Sequence, residues 1–267
     1  MTDRSLVVGA LVAATLLFAT AASAEDKTIK SVFGPGEQST FKVEYLGMTA
    51  GTTTVTVGSD TQQFGSKVWP IVALAKTESV FRVYPVRDKF ITYWDPKTQR
   101  SMGNDLFADE GSKKRRQRIT VDHKSKRATV TKQDEGGDER SSDHDVDEGA
   151  LDVASAAFAL RNEPLEVGKE FSLPIFTGVK SFNMTAKVVG KETIDTELGS
   201  KEVFKVNVTT DFSGKMKAQR DINAYFTTDP AHVLVKLQAE LVLGTIEANL
   251  VEYKEGKSFA ANSGNNG

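Results

Sequence analysis

The sequence predicts an all-β protein: a large antiparallel sheet, curled or closed into a barrel, with one short helix and a mobile acidic loop. Three observations predict it. First, Lys201–Tyr253 alternates with period two. Phe204, Val206, Val208, Thr210 and Phe212 fall on one face, and Lys205, Asn207, Thr209 and Asp211 on the other, the pattern of a strand wet on one side. Second, Asp221–Thr228, His232–Leu243 and Thr245–Tyr253 repeat that alternation across short turns. Third, Leu151–Arg161 is the one stretch with convincing helical spacing. A broad sheet with one apolar face must curl or be covered.

The chain opens on an export signal. Met1–Ala24 carries Arg4 near its start, an apolar core Leu6–Phe18, and Ala22-Ser23-Ala24 before Glu25. The core is short for a membrane span and the small-x-small pattern fits a cleavage site. Glu25–Gln38 then reads as an irregular lead-in with Gly34, Pro35 and Gly36.

Strands follow. Ser39–Leu46 alternates through Phe41, Val43 and Tyr45, and Thr52–Val57 is rich in β-branched residues, which suit a pleated surface. Lys67–Lys76 is apolar on both faces, and its Pro70 implies an edge position or a bulge. Ser79–Arg100 is dense in aromatics, with a turn at Asp95-Pro96-Lys97. Thr98–Phe107, Lys113–Val121 and Arg127–Thr131 complete the first half. Asp134–Gly149 is acidic, Gly-rich and nearly free of apolar residues. Such a stretch buries too little to offset its ordering entropy and is expected as a mobile loop.

In Leu151–Arg161, Val153, Ala156, Ala157 and Leu160 share a face, Asp152 suits the N-cap, and Pro164 lies beyond the end. Its apolar face must dock inside the curved sheet or at one end of the barrel. Phe171–Thr177, Ser181–Val189 and Glu192–Leu198 read as further strand material, and Glu255–Gly267 as a disordered polar tail. The strands 39–254 therefore form a single domain.

Composition narrows the function. The chain has no cysteine and a formal charge of −2. An exported chain without disulfides suits a bacterial periplasm, and the charge argues against nucleic acid as a partner. No apolar run after the signal reaches spanning length. Zinc spacing is missing around His123, His144 and His232, and no nucleophile-elbow, zincin or phosphate-loop motif occurs. Asp143, Asp145 and Asp147 resemble a calcium loop, but Glu148 and Ala154 stand where glycine and glutamate are needed. No cofactor, no metal and no catalytic residues are expected.

Two features remain. Lys113–Arg127 holds eight basic residues against Asp122, whereas Asp134–Glu148 holds eight acids against Arg140. The basic run suits anionic lipid head groups or an acidic polymer, although alternation makes Lys114, Arg116 and Arg118 partly the wet side of a strand. The aromatics Trp69, Phe81, Tyr84, Phe90, Tyr93 and Trp94 are candidates either for core or for lining a cavity. Apolar residues turned inward give the sidedness of a lipocalin-type barrel.

Several short motifs carry a family resemblance from about Phe41 to Tyr253. They are Tyr45-Leu46-Gly47 with Ala50-Gly51, Val83-Tyr84-Pro85-Val86-Arg87-Asp88, the helix Asp152–Arg161, and Val189-Gly190-Lys191-Glu192 with Leu198-Gly199. In this order they resemble the exported bacterial domain-of-unknown-function family 3108. The resemblance implies a periplasmic curled-sheet or barrel protein and supplies no catalytic residues. The sequence thus leaves two readings. One is a carrier of an apolar or amphipathic envelope molecule in a barrel cavity, with Lys114, Arg116 and Arg118 near its head group. The other is a scaffold of an envelope complex with a filled core, working through a surface patch or strand edge.

Overall fold

The computed structural model describes residues 31–77, 85–111, 113–210, 222–241 and 244–257. The expected signal Met1–Ala24, the residues Phe81, Tyr84 and Phe212, and the end of the expected polar tail lie outside them. Fifteen strands and one helix follow in order. The first half contains β1 (Gln38–Tyr45), β2 (Met48–Val57), β3 (Thr61–Gln63), β4 (Ser66–Thr77), β5 (Arg87–Asp95), β6 (Arg100–Glu110), β7 (Lys113–Asp122), β8 (Arg127–Asp134) and β9 (Arg140–Asp145). The helix α1 (Val153–Arg161) leads into β10 (Glu170–Phe176), β11 (Ser181–Thr196), β12 (Gly199–Thr210), β13 (Ile222–Thr227), β14 (Leu234–Leu241) and β15 (Gly244–Lys254).

Every ladder is antiparallel and joins chain neighbours, except that β2 skips β3 to pair with β4 and β15 returns to pair with β1. That one pairing joins the two halves into a single sheet running from β10 at one edge to β9 at the other. The sheet curls but does not close. At the seam, β10 meets β7–β9 through side chains: Phe176 packs with Ile119, Ala128, Val130 and Val146. Lys132 Nζ donates to the Gly178 carbonyl at 3.4 Å. Gly178 sits at φ +79°, and a Cβ there would lie 2.8 Å from Ile119 Cδ1. A side chain there would strain the backbone and displace the ends of Ile119 and Gln117 at the seam.

The expected sidedness is present where it matters. Phe204, Val206 and Val208 are buried together with Ala224, Phe226 and Leu160 of the helix. Asp152 caps α1, its side chain accepting from the Ser155 amide in a capping box. The helix plugs one end. Phe33, Trp69, Trp94, Ile71, Ile175 and Ala156 form one cluster beneath it. Arg161 at its last turn is buried and paired with Glu37 at 2.6 Å. It lies over the rings of Phe33 and Phe158, at 5.3 and 5.4 Å, and donates to the Ala231 carbonyl.

Two expectations, the acidic loop and the place of Pro70, are corrected, and two other segments gain detail. The acidic stretch is not all loop: β9 pairs with β8, held by Arg127–Asp145 at 2.9 Å and Thr129–Asp143 at 2.8 Å, with Val146 buried behind it. Cross-strand partners supply what its composition lacks. The lead-in has no regular structure over 31–37 but is part of the core, since Phe33 is 1% exposed. Pro70 is on neither an edge strand nor a bulge of its own strand. It sits in β4 between the ladder to β2, which ends at Ile71, and the ladder to β3, which begins at Val68. The missing N–H falls in that gap. Finally, Ser181–Val189 and Glu192–Leu198 are one long strand, β11, with the bulge at Val189 absorbing the irregularity.

Candidate functional site

Strand alternation separates the two sets of residues singled out in the sequence. Cross-strand neighbours share a face. Trp69 is opposite Trp94, Ile71 opposite Thr92 and Ala73 opposite Phe90, so Trp69, Trp94 and Phe90 share the face that carries the helix. Tyr93 is on the other, outer face. There Asp105 is opposite Arg118, Phe107 opposite Arg116 and Asp109 opposite Lys114. Trp69, Trp94 and Phe90 are thus on the opposite side of the sheet from the cations expected to cooperate with them, and of the described aromatics in that set Tyr93 alone shares the cations' face.

The inner aromatics are packing. Trp69 is 1% exposed and Trp94 0%, and Phe33 packs on both rings, at 6.0 and 5.8 Å. Trp69 Nε1 donates to Asp60 at 2.7 Å. The adjoining apolar cavity under the helix, lined by Phe41, Val55, Ile71, Ala73, Phe158 and Leu234 among others, measures about 130 Å³. Drug-sized ligands occupy pockets of about 300–1,000 Å³, so this space does not suit a lipid chain.

On the outer face, Tyr93, Asp105 and Arg118 form a closed network. Arg118 Nε and an Nη donate to the two Asp105 oxygens at 2.7 and 2.9 Å, and the Tyr93 hydroxyl donates at 2.8 Å. Phe64, at the tip of the β3–β4 hairpin, covers Tyr93 edge-on at 5.2 Å. Burial, aided by the Asp105 hydrogen bond, pushes the Tyr93 phenol up to about 12. The hydrogen bond to Asp105 raises Arg118 above its ordinary value. Arg118 is therefore committed to the fold.

Next to this network the outer face opens into a groove of about 460 Å³ across β5–β8. Arg87, Lys89, Lys114, Arg115 and Arg116 line it, and Asp109, Asp134 and Glu135 lie among them, Asp109 directly opposite Lys114. Phe107 lies in it, 37% exposed. Lys89 Nζ is 5.9 Å and the Arg116 guanidinium 5.8 Å from its ring centroid. A second hollow of about 350 Å³ shares Phe107, Arg116 and Gln133 with it and adds Asp105, Arg118 and Glu139. An exposed aromatic ring held between two cations can take an apolar or sugar moiety on its face while the cations hold an anion.

Sequence reasoning found Lys114 and Arg116 but missed Phe107, Arg87 and Lys89. The signal was present: Phe107 alternates with Asp105 on the wet face of its strand, where an apolar residue has no packing reason to stand. Among the described residues, no cluster of three His, Asp or Glu is arranged to hold a metal. No described helix is long and apolar enough to cross a membrane.

Residues 40–251 match the model of the family "Protein of unknown function (DUF3108)". The chain belongs to this family. No curated protein matches it. Among solved structures it is similar to a beta-barrel-like protein of domain of unknown function DUF1849 from Brucella abortus. That likeness has a TM-score of 0.57 at 11% identity and covers 84% of this chain and 99% of that one; it shows a shared fold. Weaker likenesses are to a candidate lipoprotein from Parabacteroides distasonis (TM-score 0.37, 14% identity, 84% and 99% covered) and a candidate exported protein with a YmcC-like fold from Bacteroides fragilis (TM-score 0.34, 13% identity, 85% and 100% covered).

Proposed function

We propose that this is a non-catalytic periplasmic protein that binds a phosphate-bearing amphiphile of the cell envelope on its outer wall rather than inside the barrel. The head group sits in the groove of Arg87, Lys89, Lys114, Arg115 and Arg116. The single observation that carries the reading is Phe107, exposed at the groove floor between two cations. Five cations line the groove against Asp109, Asp134 and Glu135, with Arg115 also 3.8 Å from Glu110, and partly apolar surface lies between them. That combination fits a ligand that is anionic at one end and apolar next to it. The filled helix end, with Trp69 and Trp94 sealed, supports keeping the ligand outside.

The test is titration calorimetry of the purified protein with a short-chain phosphatidylglycerol below its micellar concentration, against the phosphatidylcholine analogue. The anionic lipid is expected to bind and the zwitterionic one not. Lys114→Glu with Arg116→Glu should weaken binding by at least about tenfold, the equivalent of roughly 1.4 kcal/mol. Equal binding of both lipids, or an unaffected variant, overturns the reading.

The scaffold alternative rests on a different observation. Among the described strands, β9 has a neighbour on one side only, leaving an edge open to strand addition. Its charged residues, Arg140, Asp143 and Asp145, are the kind that discourage such pairing, so the groove is preferred.

A further inference from the structure

Antiparallel alternation sorts the turns of this sheet into two ends. The helix, the lead-in and the turns after β5, β7 and β13 lie at one end. The turns after β1, β6, β8 and β10 lie at the other. We infer that this second rim is a membrane-contact surface, and that it sets its hairpin tips into the head-group layer of an anionic bilayer. The inference stands on the tips themselves and does not need the groove to bind a lipid.

Three well-exposed large apolar residues are on this rim, while Val153 and Val167, at 62% and 56%, are at the helix end. Leu46, in the β1–β2 turn, is 58% exposed, Met48 just after it 50%, and Val179 in the turn after β10 63%. The strand order puts these turns on opposite sides of the rim: β1 and β2 are mid-sheet, whereas β10 is at the seam. Apolar tips on two sides of one rim can touch a flat surface together, whereas isolated apolar residues scattered over a surface mean little.

The turn chemistry points the same way. Leu46 has φ +52° and Gly47 φ +76°. A two-residue hairpin turn with both residues left-handed strongly favours Asn-Gly. A leucine there is both strained and exposed, so folding does not account for it. It leans on Gly244 of the neighbouring strand but remains mostly in water.

Charge complementarity selects the occupant. Lys113, Lys114 and Arg115 are exposed at the β6–β7 turn, and Lys180 follows Val179. The Phe107 groove opens between these positions and Arg87 at the start of β5. Basic residues beside apolar tips favour anionic head groups, at a strength that falls with salt. One sector opposes this. Asp134, Glu135, Asp138 and Glu139 occupy the turn after β8, with Asp134 tied to Arg140. The contact is therefore expected to tilt toward the basic sector.

Vesicle flotation tests it, using purified protein with phosphatidylglycerol vesicles, phosphatidylcholine vesicles, and a variant carrying Leu46→Asn, Met48→Ser and Val179→Ser. Asparagine suits the left-handed turn and all three side chains are at least half exposed, so an unchanged thermal melt checks that the variant folds. The wild type should float with the anionic vesicles only, and the variant should lose at least about fivefold of that partition. Failure of the wild type to float, or flotation of the variant at the wild-type level, overturns the inference. So does sedimentation showing a dimer that the same variant abolishes, because the rim would then face a second copy. Calorimetry with the short-chain anionic lipid separates the two readings. If the tip variant floats at the wild-type level while Lys114→Glu with Arg116→Glu abolishes binding of the short-chain lipid, the groove stands and the rim falls. If the wild type does not bind the short-chain lipid but floats, and the tip variant does not float, the rim stands and the groove falls.

Discussion

The two ends of this molecule solve opposite problems. At the helix end, apolar surface is turned inward and every charge taken inside is matched. Arg161 reaches Glu37 across a sequence separation of 124 residues, with two phenyl rings on its guanidinium and a carbonyl accepting from it. At the other end, Leu46, Met48 and Val179 stand in water at hairpin turns and five cations line one groove; Val153 and Val167 are as exposed at the helix end, so the contrast lies in apolar tips set beside cations. The first arrangement is what stability requires. The second costs stability and is what a surface for binding looks like.

This contrast can be broken in order of expected effect. The largest is at the helix end. Arg161→Met leaves Glu37 buried without a cation, with only the Tyr253 hydroxyl at 3.4 Å donating to it, and should cost about 3–5 kcal/mol in urea unfolding. Lys114→Glu with Arg116→Glu should stay within about 0.5 kcal/mol of wild type. Similar losses for both would erase the distinction between the ends.

The second effect is alkaline. Burial pushes Tyr93 and Tyr253 up to about 12. A phenol whose folded pKa is raised contributes stability that is fully present below its ordinary value near 10. That contribution is lost as pH rises from there through about 12. Melting temperature should therefore fall over that window. Tyr93→Phe should flatten part of the fall, while Asp105 keeps its two bonds from Arg118. A fall of the same size in Tyr93→Phe would show that the phenol is not held as the geometry implies.

The smallest effect sharpens the open end. Glu135 lines the groove and Glu139 the adjoining hollow. Glu135→Gln with Glu139→Gln should tighten binding to anionic vesicles a few-fold at low salt, and the difference should vanish near 1 M salt, where screening acts over about 3 Å. No change at low salt would mean that the acidic turn does not compete for the basic wall.

Much of this was legible in the chain. Alternation located nearly every strand, and Asp152 marked the helix start that its capping box makes. The candidate site was legible only in part. Lys114 and Arg116 were visible as charge, but Arg118 belonged to the same run and proved neutralised by Asp105. That partner comes from the neighbouring strand, and nothing within a few residues of Arg118 announces it. The acidic stretch misled for the same reason. Asp143 and Asp145 have no local cause to be extended, and they become a strand because Thr129 and Arg127 are opposite them.

Periods of two and 3.6 residues, caps and turn residues act over a few positions, and so the order of elements, their inward faces and the family were written in the sequence. Which strands end up side by side, where the seam falls, and whether a given charge or ring meets a partner depend on register across the sheet. Folding alone put the tryptophans and the cations on opposite faces, because each strand's alternation is fixed locally but the neighbour it meets is not.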